Sequence, residues 1–278
     1  MGNWKTGRIS SSNCQLEYKY QMVEDKPWMV FLHGFGQDFR AFESMYAALE
    51  NEFSFLAPNL FFHGESIMEG EKPLNPEEWL GLVDQIFQNL GISSAQWLGF
   101  SMGGKFLLLT YQYRPEYFSG IVLLAPDGIA MNPWYRFAAR TVFGRVLLRF
   151  CFRFMPFLHV LIRFFSNIGL LKASVAKFAA SQLTHSEGRE LVKDTWLRFR
   201  NIWPNEALWM QEFKKRPVPF LIGLGKYDSI IPKRVFATRR MNWEGIKWAE
   251  FEAGHTSLIE RFASKMRKEP VAEKKTET

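Results

Sequence analysis

At 278 residues the chain is long enough for one domain carrying a substantial insertion, and a hydrophobic share of 47% with 23% charged residues is that of a globular protein with a buried core. A net charge of +7 permits attraction to anionic partners, but no zinc-finger spacing, RNP-type motif or basic recognition helix accompanies it, which excludes nucleic acid as the expected partner. The two cysteines, Cys14 and Cys151, are too far apart in sequence for a metal or disulfide framework and read as buried thiols.

In chain order, residues 1–20 are polar and alternating, without the basic start and long apolar run of an export signal, so a cytoplasmic location is expected. Residues 15–20 alternate as a half-buried edge strand. Apolar strands are predicted at 28–32, 53–57, 96–100 and 121–125, with helix-period segments at 39–49, 76–90 and 103–113 between them. From Asp127 to about Lys215 the pattern breaks: the chain is helix-like, rich in Phe and Arg, and shows no strand. A connection that long implies an inserted helical subdomain capping the sheet. Its most apolar stretch, 141–165, is interrupted by Arg145, Arg149, Arg153 and Arg163, each of which would cost about 2.5–3.5 kcal/mol near a bilayer centre, so it is not a membrane span. Strands return at 218–224 and 246–251 around a helix at 233–241, and after Phe262 the chain dissolves into a Lys- and Glu-rich tail. The expected fold is α/β, a mostly parallel central sheet flanked by helices. Its core is 1–127 and 216–264, its helical cap 128–215, and its flexible charged tail 265–278.

The chemistry begins where the strand ending at Phe100 enters Gly99, Phe100, Ser101, Met102, Gly103, a G-x-S-x-G that opens a helix. So sharp a strand-to-helix turn strains the serine backbone, and small residues two before and two after it let the flanking chains approach. The start of the next helix offers N–H groups and a partial positive charge to a developing oxyanion. A serine hydroxyl needs a base to take its proton and a group to hold that base. His255 follows the last predicted strand, and Asp228 stands just past the strand at 218–224. Loops at strand C-termini are where α/β sheets carry their sites.

These segments together resemble the α/β-hydrolase fold family, over about residues 14–263, and Ser101, Asp228 and His255 follow that family's chain order. Leu32, His33, Gly34, Phe35, Gly36 resembles its His-Gly turn. The resemblance implies that the backbone N–H groups of Phe35 and Met102 form the oxyanion hole and that His33 is structural. Pro58 to Ser66 resembles the family's Asp-x-Pro-Gly-x-Gly-x-Ser turn, with Asn59, Phe61 and Phe62 in place of Asp, Pro and Gly. That departure leaves the triad untouched and bears on the pocket wall. Asp127 sits where some members place the acid and stands as the alternative, its other reading being a cap or turn former. His63 is expected as a hydrogen-bonded turn residue, His159 and His185 as packing or surface residues of the cap, and Glu65 as a solvated carboxylate.

A serine nucleophile implies acyl transfer with no metal and no organic cofactor. Phe143, Phe150, Phe152, Phe154, Phe157, Phe164 and Phe165 in the cap favour an apolar acyl group, so a carboxylic or lipid ester leads. A thioester, acyl transfer to another acceptor and a carbon–carbon bond stay open, as does a hydrolase-like protein that only binds its ligand. Arg145, Arg149 and Arg153 make one cap face basic. That face either solvates the outside of a lid or rests on an anionic membrane.

Overall fold

The computed structural model describes residues 3–131, 133–154 and 185–268. Its strands are β1 (Lys5–Ser11), β2 (Cys14–Gln21), β3 (Trp28–Leu32), β4 (Ser54–Pro58), the short β5 (Ile67–Met68), β6 (Ala95–Phe100), β7 (Phe118–Leu124), β8 (Phe220–Gly225) and β9 (Lys247–Phe251). They form one sheet in the order β1-β2-β4-β3-β6-β7-β8-β9, with β5 against β2. β2 is antiparallel to β1, β4 and β5, and every pairing from β4 across to β9 is parallel. Parallel strands covered on both faces must be apolar on both, and β3, β4 and β6 are buried almost throughout.

The helices are α1 (Glu43–Ala48), α2 (Pro76–Leu90), α3 (Met102–Tyr113), α4 (Pro133–Arg140), α5 (Val142–Arg153), α6 (Ser186–Arg198), α7 (Glu206–Lys215), α8 (Ala237–Asn242) and α9 (Leu258–Lys268). α2 shows why the chain folds where it does. The Asn75 side chain caps it by accepting from Glu77 N–H, Pro76 occupies the first turn beside Glu77 and Glu78, and Gly91 ends it in the left-handed region. Trp79, Val83, Ile86 and Phe87 face inward from it, and the buried Trp79 indole donates to Thr110 Oγ1 at 2.9 Å. One face of the sheet packs Trp79, Trp97, Phe106 and Trp209, with α2, α3 and α7 above it. The other packs Phe31, Phe42, Phe55 and Phe100 under α1 and α9. Cys14 and Cys151 are both buried free thiols.

Three features differ from the sequence reading. β1 forms within the segment read as polar and alternating and takes the sheet edge expected for 15–20, because pairing with β2 supplies its backbone bonds while only Ile9 is buried. The last helix continues to Lys268, so the first residues of the expected tail are helical, and residues 269–278 lie outside the described residues. α7 packs on α3 and places Trp209 and Phe213 in the main core, so it belongs with the sheet's own helices although the boundary at 215 put it in the cap. Residues 155–184, with His159, Phe157, Phe164, Phe165 and Arg163, lie outside the described residues.

Candidate active site

Ser101 joins β6 to α3 with φ 49° and ψ −117°, a region L-residues rarely occupy and which costs about 1–3 kcal/mol. The surroundings hold it there. Ser101 N–H donates to Leu124 O at 3.0 Å, and its carbonyl accepts from Gly104 N–H at 2.9 Å and Asp127 N–H at 2.8 Å. Gly103 is required by contact: a Cβ there would lie 2.0 Å from Leu32 O. At Gly99 the nearest atoms would be Gly104 Cα and Leu107 Cδ1 at 3.1 Å, tight but less severe.

The loops after β8 and β9 are tied together by Lys226 N–H to Phe251 O at 2.8 Å and Tyr227 N–H to Ala253 O at 3.0 Å. This brings Asp228 and His255 to one place. The His255 Nδ1–H donates to Asp228 Oδ2 at 2.7 Å, and the Ser101 hydroxyl donates to His255 Nε2 at 3.0 Å. A carboxylate can only accept, which fixes that tautomer. The Asp228 side chain is fully covered, and its Oδ1 accepts from the N–H groups of Ile230 and Ile231, both at 2.8 Å. The Phe100 ring lies 5.0 Å from the imidazole and shields it. Such a relay can move the serine proton to His255 and hold the resulting imidazolium against a desolvated carboxylate.

Asp127, the alternative acid, is engaged elsewhere. Its Oδ1 accepts from Gly128 N–H at 2.9 Å and its Oδ2 lies 3.6 Å from the Lys105 ammonium. Lys105, the partner of Asp127, is a buried charge the sequence reading missed. It is buried one turn after Ser101, over the rings of Tyr135 and Phe199 at 5.6 Å each. Burial lowers its pKa, against the opposing pull of Asp127. A lysine immediately before the apolar run from Phe106 to Leu109 was the available signal.

On the other side of Ser101, two histidines are spent on backbone. His33 Nε2 accepts from Leu60 N–H at 2.9 Å while its Nδ1–H donates to Gly34 O at 2.8 Å. His63 Nε2 accepts from Gly36 N–H at 2.9 Å, and its Nδ1–H donates to Phe61 O at 2.9 Å. The two rings meet edge to face at 4.9 Å. Burial, reinforced by the neighbouring His63, pushes His33 down to about 3, and burial lowers His63 as well, so both rings are neutral acceptors. The turn from Gly34 to Gly36 is thereby braced around Phe35, with Gly34 N–H also donating to Gln37 Oε1 at 3.0 Å. Met102 opens α3, where its N–H has no acceptor within the helix.

Asn59, the departure from the family turn, is a brace too. Its Oδ1 accepts from Phe39 N–H at 3.0 Å and its Nδ2 donates to the buried Glu17 at 2.7 Å. Burial opposes the Glu17 charge, but the Lys19 ammonium, Glu65 N–H and Asn59 amide outweigh it and hold the carboxyl below its usual value. Glu65 is ion-paired with Arg8, and His185 is exposed just before α6. Phe143, Phe150 and Phe154 are exposed rather than walling an enclosed site, because α5 turns Gly144 and Cys151 inward instead. Phe152 is half-buried. Among the described residues no His, Cys, Asp and Glu group is arranged to hold a metal ion.

A family model described as alpha/beta hydrolase fold matches residues 27–262. The chain is 24% identical over 238 residues to the uncharacterized hydrolase YugF of Bacillus subtilis, covering 82% of each protein. In structure it is similar to a thermophilic esterase from Thermogutta terrifontis, with a TM-score of 0.66 at 18% identity, covering 95% of this chain and 97% of that one. It is also similar to naproxen esterase from Bacillus subtilis, with a TM-score of 0.62 at 18% identity, covering 96% and 90%.

Proposed function

Because the chain belongs to the α/β-hydrolase fold family, we propose that it is a serine hydrolase that cleaves a carboxylic ester through an acyl-enzyme. The observation that carries this reading is the continuous relay from Ser101 Oγ through both His255 nitrogens to Asp228, at 3.0 and 2.7 Å. In this mechanism Ser101 Oγ attacks the ester carbonyl as His255 Nε2 takes its proton. The carbonyl electrons move onto oxygen, which the N–H groups of Met102 and Phe35 receive. The oxyanion collapses, the alkoxide leaves, and it takes the proton from His255. Water repeats the sequence in reverse: His255 deprotonates it, the acid departs, and Ser101 recovers its proton. Asp228 holds the tautomer throughout.

Turnover of short and long p-nitrophenyl esters tests the reading, since a protein that only binds its ligand shows none above background. Ser101→Ala is expected to lower kcat by about a millionfold and abolish labelling by a fluorophosphonate. A covalent adduct mapped to any other residue overturns the assignment.

A further inference from the structure

Residues 128–186 carry eight of the chain's 35 Lys and Arg and none of its 28 Asp and Glu. The remainder, 27 against 28, is close to neutral, so this one segment accounts for the whole net charge of +7. Its described helices, α4 and α5, hold Arg136, Arg140, Arg145, Arg149 and Arg153. Among the described residues, Arg149 alone of these five reaches a carboxylate, that of the exposed Glu71 at 3.2 Å. A sixth guanidinium joins them from the chain after α6: burial, with Arg145 and Arg149 close by, lowers the Arg200 pKa.

α5 and its C-cap residue Phe154 expose apolar groups in register with the helix's charges. Val142, Val146, Phe150 and Phe154 follow one another at four-residue spacing, and all are between 47 and 71% exposed, as is Phe143 at 69%. Arg145, Arg149 and Arg153 repeat at the same spacing on the adjoining row. α5 therefore has an inner face, at Gly144 and Cys151, and an outer face of parallel apolar and cationic rows. At 12 residues it is about 18 Å long, and no described helix is long and apolar enough to cross a membrane, so its geometry suits lying on a surface.

We propose that this outer face of α5, with Arg145, Arg149 and Arg153 flanking Val146 and Phe150, docks the protein on an anionic lipid bilayer. The chemistry selects that occupant. A nucleic acid would engage the arginines and leave the apolar row facing water. A second copy meeting this face about a twofold axis would set like arginine rows against each other. A bilayer of anionic lipid satisfies both rows, headgroups taking the guanidiniums while valine and phenylalanine enter the acyl boundary. The docking stands apart from the ester-hydrolase reading and can fail or hold without it.

Co-sedimentation of the full chain with vesicles of phosphatidylglycerol and phosphatidylcholine tests the proposal. Binding is expected at low ionic strength, with release at high salt and little binding to phosphatidylcholine alone. The triple variant Arg145→Gln, Arg149→Gln, Arg153→Gln is expected to lose about a hundredfold in affinity, roughly fivefold for each arginine. Val146→Ser with Phe150→Ser should weaken binding while leaving its salt dependence unchanged. An unaltered thermal midpoint reports that each variant is folded, and turnover of a soluble short-chain ester is expected to be unchanged in both. Absence of binding at low salt by folded protein overturns the proposal, as does full binding by the arginine variant. So does a concentration-dependent dimer that Phe150→Ser dissolves. Loss of ester turnover with vesicle binding intact counts against the hydrolase reading alone.

Discussion

The rim around Ser101 has two halves that are built differently. Beyond β8 and β9, Asp228 and His255 bond to each other and to Ser101 through side chains, and one proton along that line can change owner. Beyond β3 and β4, His33 and His63 spend their ring nitrogens on backbone N–H and carbonyl groups, Asn59 spends its amide on Phe39 N–H and the Glu17 carboxylate, and nothing there is left to move. The same residue type thus serves opposite ends. His255 keeps a ring nitrogen for a hydroxyl, whereas His33 and His63 are buried neutral struts. A histidine's role follows from what its second nitrogen faces.

Asp228→Asn breaks the mobile half with the largest expected effect. The amide presents a donor where His255 needs an acceptor, the wrong imidazole tautomer is favoured, and kcat is expected to fall by about four orders of magnitude. Steady-state kinetics on a p-nitrophenyl ester measures it. A loss below tenfold would mean that His255 does not depend on this carboxylate.

The rigid half should respond by displacement instead. His63→Phe removes the acceptor for Gly36 N–H and frees the turn that carries Phe35. A shift of about 1 Å in a positioned group can cost about a hundredfold, so kcat is expected to fall by that order with KM little changed. His63→Gln offers an amide oxygen to the same N–H and should recover most of the loss. Equal kcat values for the Phe and Gln variants would show that the bond to Gly36 does not matter.

The legibility of the two halves in the sequence differs for a physical reason. Ser101, Asp228 and His255 could be picked out because each stands just past a predicted strand, and β3, buried on both faces, coincides with the predicted 28–32. The bond from Gly36 to His63 could not, because a backbone donor is the same at every residue and leaves no mark on composition. Lys105 was missed because a buried ammonium contradicts the ordinary pattern of burial. Phe143, Phe150 and Phe154 were read as favouring an apolar acyl group but are exposed, since periodicity shows that faces differ and not which one packs.

The rigid half also predicts a pH dependence. An unfolded histidine takes a proton near 6.5, while the buried His33 stays neutral until about 3. Between those values the unfolded chain binds more protons than the folded one. Stability is therefore full above about pH 6.5 and is lost as pH falls, by up to about 1.4 kcal/mol per pH unit from this residue. Urea unfolding across that range checks it, with His33→Gln expected to flatten the slope. An unchanged slope in that variant would assign the acid sensitivity to other groups.

Asp127 lies between the two halves, and its expected effect on rate is the smallest. It stands just past a strand, as Asp228 does, and its N–H even holds the Ser101 carbonyl, yet its carboxylate points to Lys105. Asp127→Asn keeps that backbone bond and should lower kcat by less than about tenfold, since losses near 10⁴ come from disturbing the histidine's tautomer. Its mark should fall on stability. The Lys105 ammonium is left buried without an opposing charge, a change that costs about 3–5 kcal/mol in a fully buried pair. A third of the Asp127 side chain is exposed, so solvent screens the pair and about 1–2 kcal/mol is expected. Lys105→Met removes the stranded charge, and the double variant should be more stable than Asp127→Asn alone. If Asp127→Asn instead slowed turnover as much as Asp228→Asn, with stability unchanged, the acid would belong to the loop after β7.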